Sequence, residues 1–138
     1  MTDLPRQEDF PHMTSDKLRF ADMDRQGHIN NVAFMEFFEQ ARTEVIYDPE
    51  DPLVPDGCAF VIAHIAIDFI GEMLWPGTVQ TGTRVQSIGT SSIKIEQALF
   101  QNGKPCAKAF SVVVLTDTTT RRSTPLPENA VERMKALV

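Results

Sequence analysis

The chain has 138 residues, long enough for one domain with a substantial core. Its 42% hydrophobic and 23% charged residues are ordinary for a globular protein. A formal net charge of −6 lacks the basic footprint that general nucleic-acid binding needs, although a local cationic patch could still hold a phosphorylated ligand.

In chain order, residues 1–11 read as an irregular lead-in with two prolines. The lead-in has no apolar segment of the kind that opens a secretory signal, and no later run is long enough to span a bilayer. No membrane partner is therefore expected, and the cytoplasm is the expected location. "HMTSDKLRFA", 12–21, reads as a first strand with weak alternation. "NVAFMEFFEQARTEVI", 31–46, reads as a helix, because Phe34, Phe37, Phe38, Ala41 and Val45 recur at helical spacing on one face. Asn30 or Asn31 can cap it through a side-chain oxygen. "YDPEDPLVPDG", 47–57, holds three prolines and four acidic residues and reads as a long loop, suited to a pocket mouth.

The period then changes. "AFVIAHIAIDFI", 59–70, reads as a strand covered at least partly on both sides. Strict alternation puts Ala59, Val61, Ala63, Ile65, Ile67 and Phe69 on one face. "LWPGT", 74–78, reads as a turn; 79–88 and 92–100 read as strands. Asn102-Gly103 marks a hairpin into a long strand over 105–117, and Pro127 starts a terminal helix. The order is strand, long helix, four strands in meander, short helix. Such an α+β chain packs its helix on one antiparallel sheet, and the exposed sheet edges favour pairing with a second copy. Cys58 and Cys106 have no metal-ligand spacing and read as free thiols in a reducing compartment.

"FADMDRQGHINN", 20–31, concentrates polar groups just ahead of the helix. A calcium loop would need a bidentate Glu at its twelfth position, where Ala33 stands. A metal site would need close ligands, but His12, His28 and His64 include no i, i+4 pair. His64 and Asp68 lie about 13 Å apart along a strand, too far for a dyad. Asp22 and Asn30 read as turn and cap residues. Asp24 lies where the N–H groups and dipole of a helix start favour negative charge. The same N–H groups could accept an oxyanion, and a carboxylate beside an oxyanion hole suits acyl transfer. Position alone leaves capping Asp and reacting Asp both open.

Residues 19–42, "RFADMDRQGHINNVAFMEFFEQAR", resemble the start of hotdog-fold thioesterases of the 4-hydroxybenzoyl-CoA and short-chain acyl-CoA branch. The pattern is aromatic-x-Asp-x-Asp-x-x-Gly-His-x-Asn-Asn, followed by a helix ending Glu-x-x-Arg. The resemblance continues through "IGTSS", 88–92, and "LTDTTTRRSTPLP", 115–127. It implies a sheet wrapped around one long helix in a single domain over 1–138, assembled as a homodimer or homotetramer. It implies an acyl-CoA substrate, no bound cofactor and no metal. It makes Asp24 the carboxylate that attacks the thioester or activates water. Gly27 would turn the chain against the ligand, Asn31 would polarise the carbonyl through its backbone N–H, and His28 would organise the loop. Some relatives carry His or Tyr where Asn31 stands, so His-assisted proton transfer from that position is not expected.

Ser92 resembles the family's Gly-x-x-Ser region near the pocket, against a plain turn hydrogen bond. Phe34, Phe38 and Phe60 are candidate pocket walls, although each is more ordinarily core. Glu39 and Arg42 read as a helix-surface ion pair. Lys94, Lys104, Lys108, Arg121 and Arg122 are the cations that could meet coenzyme A phosphates. Competing readings are a non-catalytic acyl or CoA-binding protein, a thioesterase acting on acyl carrier protein, and a hydratase on the same fold. The last usually wants an Asp-His pair set differently from this loop.

Overall fold

The computed structural model describes residues 4–138. Five strands form one antiparallel sheet: β1 (His12–Lys17), β2 (Cys58–Phe69), β3 (Thr78–Ile88), β4 (Ser92–Gln101) and β5 (Lys104–Asp117). The long helix α1 (Asn31–Ile46) packs on one face of it, and α2 (Glu128–Lys135) follows β5. The bounds of α1 are those the apolar spacing predicts. Asn30 closes its start by accepting a 2.7 Å hydrogen bond from the Val32 N–H. Phe34, Phe37, Phe38, Ala41 and Val45 are all buried.

The strand order is β1-β3-β4-β5-β2, which corrects the four-strand meander. The segment 70–77 does not close a hairpin. It carries the chain across the sheet, so β2 pairs with β5 and β3 pairs with β1. Asn102 and Gly103, both with positive φ, do turn β4 into β5. Pro127 caps α2 rather than sitting in its first turn.

β2 lies at an open edge, and Val61, Ile62 and Phe69 are about half exposed, so in a single chain it is not covered on both sides. Its register against β5 shifts between Ile62 and His64. The extra residue, Ala63, exchanges the two faces of the strand. Phe60 and Ile62, opposite buried Leu115 and Val113, therefore join Ile65, Ile67 and Phe69 on the helix side, while Ala59 and Val61 turn outward with His64.

Two apolar clusters fill the space under α1. One holds Leu18, Ile29, Phe34, Phe38, Met73 and Leu99; the other holds Val45, Ile46, Leu53, Ile93, Val113 and Met134. Leu53 anchors the loop over 47–57 in the second cluster, and Arg133 of α2 pairs with Asp48 of that loop at 3.0 Å. That loop is thereby a strap over the core end. The sheet also buries Thr81, Thr83, Gln97 and Ser111. Gln97 Nε2 donates to the Phe38 carbonyl at 3.0 Å and to Thr83 Oγ1 at 3.1 Å.

Arg42 enters this polar layer, only 6% exposed, and reaches Gln97 Oε1 at 3.5 Å. Burial pushes its guanidinium down from the ordinary arginine value, while Glu39 opposes the shift from a distance. The predicted Glu39–Arg42 surface ion pair is thus corrected: Glu39 points to solvent, and Arg42 spends its donors inside. The lead-in also packs. Its short turn Gln7–Asp9 brings Phe10 over the outer face of the sheet, where Gly82 leaves the space a Cβ would take.

Candidate active site

The segment 20–31 folds into a compact loop tied to itself. Phe20–Asp22 is one 3₁₀ turn, and Met23 and Ile29 form an isolated antiparallel bridge. The Asp24 N–H donates to the His28 carbonyl at 2.8 Å. Asp24 Oδ1 accepts from the N–H groups of Gln26 at 2.8 Å and His28 at 3.2 Å. These bonds occupy one carboxylate oxygen, and the side chain as a whole remains exposed. Gly27 has φ of +82°, a conformation costly for other residues; open space surrounds the site of a Cβ, so the backbone conformation is what requires glycine. Asn31 is exposed and is the first helical residue. Its N–H belongs to the group the helix leaves without an internal acceptor.

Asp22 anchors the loop from below. Its side chain is 3% exposed and accepts 2.7 and 2.8 Å hydrogen bonds from Arg19 Nη2 and the Arg19 N–H. Burial alone would push this carboxyl up, but the Arg19 bonds and charge outweigh it and hold it below the ordinary value. A carboxyl lowered on folding contributes stability above its unfolded pKa, and that contribution is lost as pH falls through the folded value. Asp22→Asn should therefore lose stability at neutral pH and flatten the acid limb of a stability–pH curve below about pH 4, as read by denaturant titration. An unchanged acid limb would show that Asp22 is not a linked group.

The second wall of the loop is the crossing segment 70–77. Its Met73 carbonyl accepts from the Ile29 N–H at 3.0 Å, and its Glu72 carboxylate lies 3.3 Å from His28 Nε2. Glu72 was not legible from spacing, since 44 positions separate it from His28.

Asn31, Val32 and Met35 of α1 face Ile65, Ile67 and Phe69 of β2 across an apolar groove of about 360 Å³ that opens at the helix start. A larger cleft of about 980 Å³ lies on the opposite face of the sheet, between the lead-in and Phe110, away from this loop.

The thioesterase-like superfamily model matches residues 18–134. The chain belongs to that family. Its members' hotdog architecture is the one described above, and the family places the protein among thioester hydrolases. It is 27% identical over 105 residues to the acyl-CoA thioesterase YbgC of Haemophilus influenzae, covering 73% of this chain and 77% of that one. A thioesterase from Thermus thermophilus, solved with coenzyme A and Zn, is 31% identical with a TM-score of 0.77, over 91% of this chain and 98% of that one. The PA5185 protein of Pseudomonas aeruginosa PAO1 is 25% identical with a TM-score of 0.86, over 98% and 96%.

Asp24, Gly27 and His28 share one hydrogen-bonded loop, and Asn31 follows it as the first residue of α1. Phe34 lies near them, buried, with its ring 5.3 Å from that of Phe69. Phe38 is fully buried core. Phe60 does not join them in one chain: it packs on the second apolar cluster and against Tyr47 just past the end of α1, roughly 24 Å from its start. Ser92 also lies at that far end, pairing with Val114, and Gly89 leaves room for its hydroxyl in the turn. The candidate phosphate-binding cations are dispersed: Lys94 and Lys108 along the sheet, Lys104 at the hairpin, Arg121 and Arg122 after β5. Among the described residues, no group of three or more His, Cys, Asp or Glu could hold a metal ion, and no helix is long and apolar enough to cross a membrane.

Proposed function

We propose that the protein hydrolyses acyl-CoA thioesters to a free acid and coenzyme A, as one hotdog domain with its chemistry in the loop ahead of α1. The observation that carries this reading is an exposed carboxylate, Asp24, held by backbone N–H groups in the loop that runs into α1, whose first residues Asn31 and Val32 line an apolar groove. The bonds from Gln26 and His28 fix one oxygen of Asp24. The other is the atom that attacks the thioester carbonyl or takes a proton from water. The Asn31 N–H stabilises the oxyanion that forms when the carbonyl is attacked. Gly27 supplies the turn, and His28 holds the loop closed. The acyl group lies along Val32, Met35 and Phe69, with Phe34 beneath. No resident cofactor is required.

The open edge of β2 supports assembly as a homodimer or homotetramer. A second copy paired antiparallel along that strand would cover Val61, Ile62 and Phe69. Sedimentation at a single-chain mass would remove this element of the proposal.

The test of function is thiol release from short, long and aromatic acyl-CoAs and from acyl carrier protein thioesters. Turnover of the CoA esters supports the reading, and preference for the carrier protein reassigns the substrate. A second reading has its own observation: the two backbone bonds to Asp24 are also those of a plain loop cap. Tight acyl-CoA binding without any thiol release would make the protein a binding module.

A further inference from the structure

The one tryptophan of the chain, Trp75, sits on the crossing segment 70–77 and is 40% exposed. Its ring meets that of Phe20, itself 69% exposed, edge to face at a centroid distance of 5.3 Å. Two adjoining aromatic rings left in water, with exposed Leu74 next in the chain, form a surface suited to contact rather than a stray apolar side chain. Both rings stand on anchored backbone. Gln101 clamps Leu74 twice, accepting from its N–H at 2.9 Å and donating to its carbonyl at 2.7 Å. The Gly77 carbonyl accepts from the Leu18 N–H at 2.9 Å, and Phe20 opens the short turn that Asp22 closes on Arg19. The pair also adjoins the Asp24 loop. Phe20 is four residues from Asp24, hence at most about 14 Å away, and Met73, two residues before Trp75, is bonded to Ile29.

We infer that Phe20 and Trp75 are the platform on which the adenine of coenzyme A stacks, outside the groove that takes the acyl group. This rests on the proposed hydrolysis of acyl-CoA at the Asp24 loop. In that substrate a long pantetheine arm separates the thioester from the nucleotide, so the base belongs near the reacting loop and not in it. Any base offers a π-face to an exposed aromatic ring. The phosphates need cations, and the segments that carry the pair supply them. Lys17 ends β1 opposite Thr78, just past Gly77, and Arg25 follows Asp24. Both are exposed, and neither pairs with a carboxylate among the described residues. Arg19 lies between them in sequence but shares its charge with Asp22 and Glu36. An acyl carrier protein presents the same arm without an adenine, so a base-stacking platform favours the coenzyme A ester over it.

The single tryptophan makes the test direct. Trp75 emission is titrated with coenzyme A, with adenosine 3′,5′-bisphosphate and with pantetheine. Coenzyme A and the bisphosphate should quench it, and pantetheine should not. In Trp75→Ala and in Phe20→Ala, the ratio of kcat/KM for an acyl-CoA to that for the same acyl-pantetheine should fall about tenfold, and Trp75→Phe should recover most of it. The ratio cancels any general damage to folding or chemistry. Emission unmoved by coenzyme A overturns the inference, and where wild type still releases thiol the functional reading stands. An unchanged ratio in both alanine variants, or quenching by pantetheine alone, overturns it too. So does an emission shift on raising protein concentration without ligand, which gives the patch to a second copy. Quenching by coenzyme A and the bisphosphate without thiol release by wild type leaves the platform standing and sinks the functional reading instead.

Discussion

Asp24→Asn should abolish most turnover, by about 10²–10⁴-fold in kcat, while leaving the protein folded. The substitution is informative because of how Asp24 is held. Its Oδ1 accepts from Gln26 and His28, and an asparagine oxygen can accept the same two bonds. The loop therefore keeps its shape, and what is lost is the negative charge and the basic oxygen left over. A loop cap would lose almost nothing from this change. A general base or nucleophile would lose nearly everything it contributes, since an amide neither takes a proton at neutral pH nor forms an anhydride readily. Thiol release at saturating acyl-CoA, together with the melting temperature, reads both quantities. Turnover within a fewfold of wild type at unchanged stability would show that the carboxylate is structural, and would move the chemistry to His28 or to another loop. Asp22→Asn is the contrasting variant. Its carboxylate is buried on Arg19, so its removal should appear in stability and its pH dependence first.

The parts of this molecule legible from sequence are those fixed by near neighbours. The ends of α1 follow from the stripe of Phe34, Phe38 and Val45 and from Asn30 ahead of it, all within a few turns. The β4–β5 hairpin follows from Asn102-Gly103, because few residues tolerate those φ angles. The loop of Asp24, Gly27, His28 and Asn31 is contiguous, so its clustering needs no tertiary information. The errors are nonlocal. The turn read over 74–78, between two strands, suggests a hairpin. Whether the chain instead crosses to the far side of the sheet depends on which edge of β5 is free for β2. The bulge at Ala63 adds one residue to the ladder, and a period-two reading then assigns half of the strand to the wrong face. Arg42 looks like a surface partner of Glu39 until Gln97, 55 positions later, is placed beneath it. Glu72 carries no signal by itself and gains meaning only when the crossing segment sets it against His28.

Phe38→Ala should cost about 3–5 kcal/mol in folding free energy, the largest single loss expected from the α1 face. Phe38 is fully buried and packs in the cluster that includes Leu99, Ala107 and Ala109. Two of these neighbours are alanines, too short to move into the space left by a ring. The backbone there is also fixed, because the Phe38 carbonyl accepts from Gln97, which is itself bonded to Thr83. The cavity therefore stays open, and the cavity cost adds to the lost transfer free energy. Phe34→Ala makes the comparison. Phe34 is nearly as buried, but it packs against Phe69, which is 54% exposed in a single chain. A void there opens toward the groove and can fill with water or collapse, so the loss should be smaller unless a second copy covers Phe69. Denaturant titration of the two variants at several protein concentrations measures both effects. Equal costs at low concentration would show that the two sites relax alike and that the rigid polar layer does not hold the Phe38 cavity open. A Phe34→Ala cost that grows with protein concentration would instead link the groove to assembly, because only a covered groove makes that void closed.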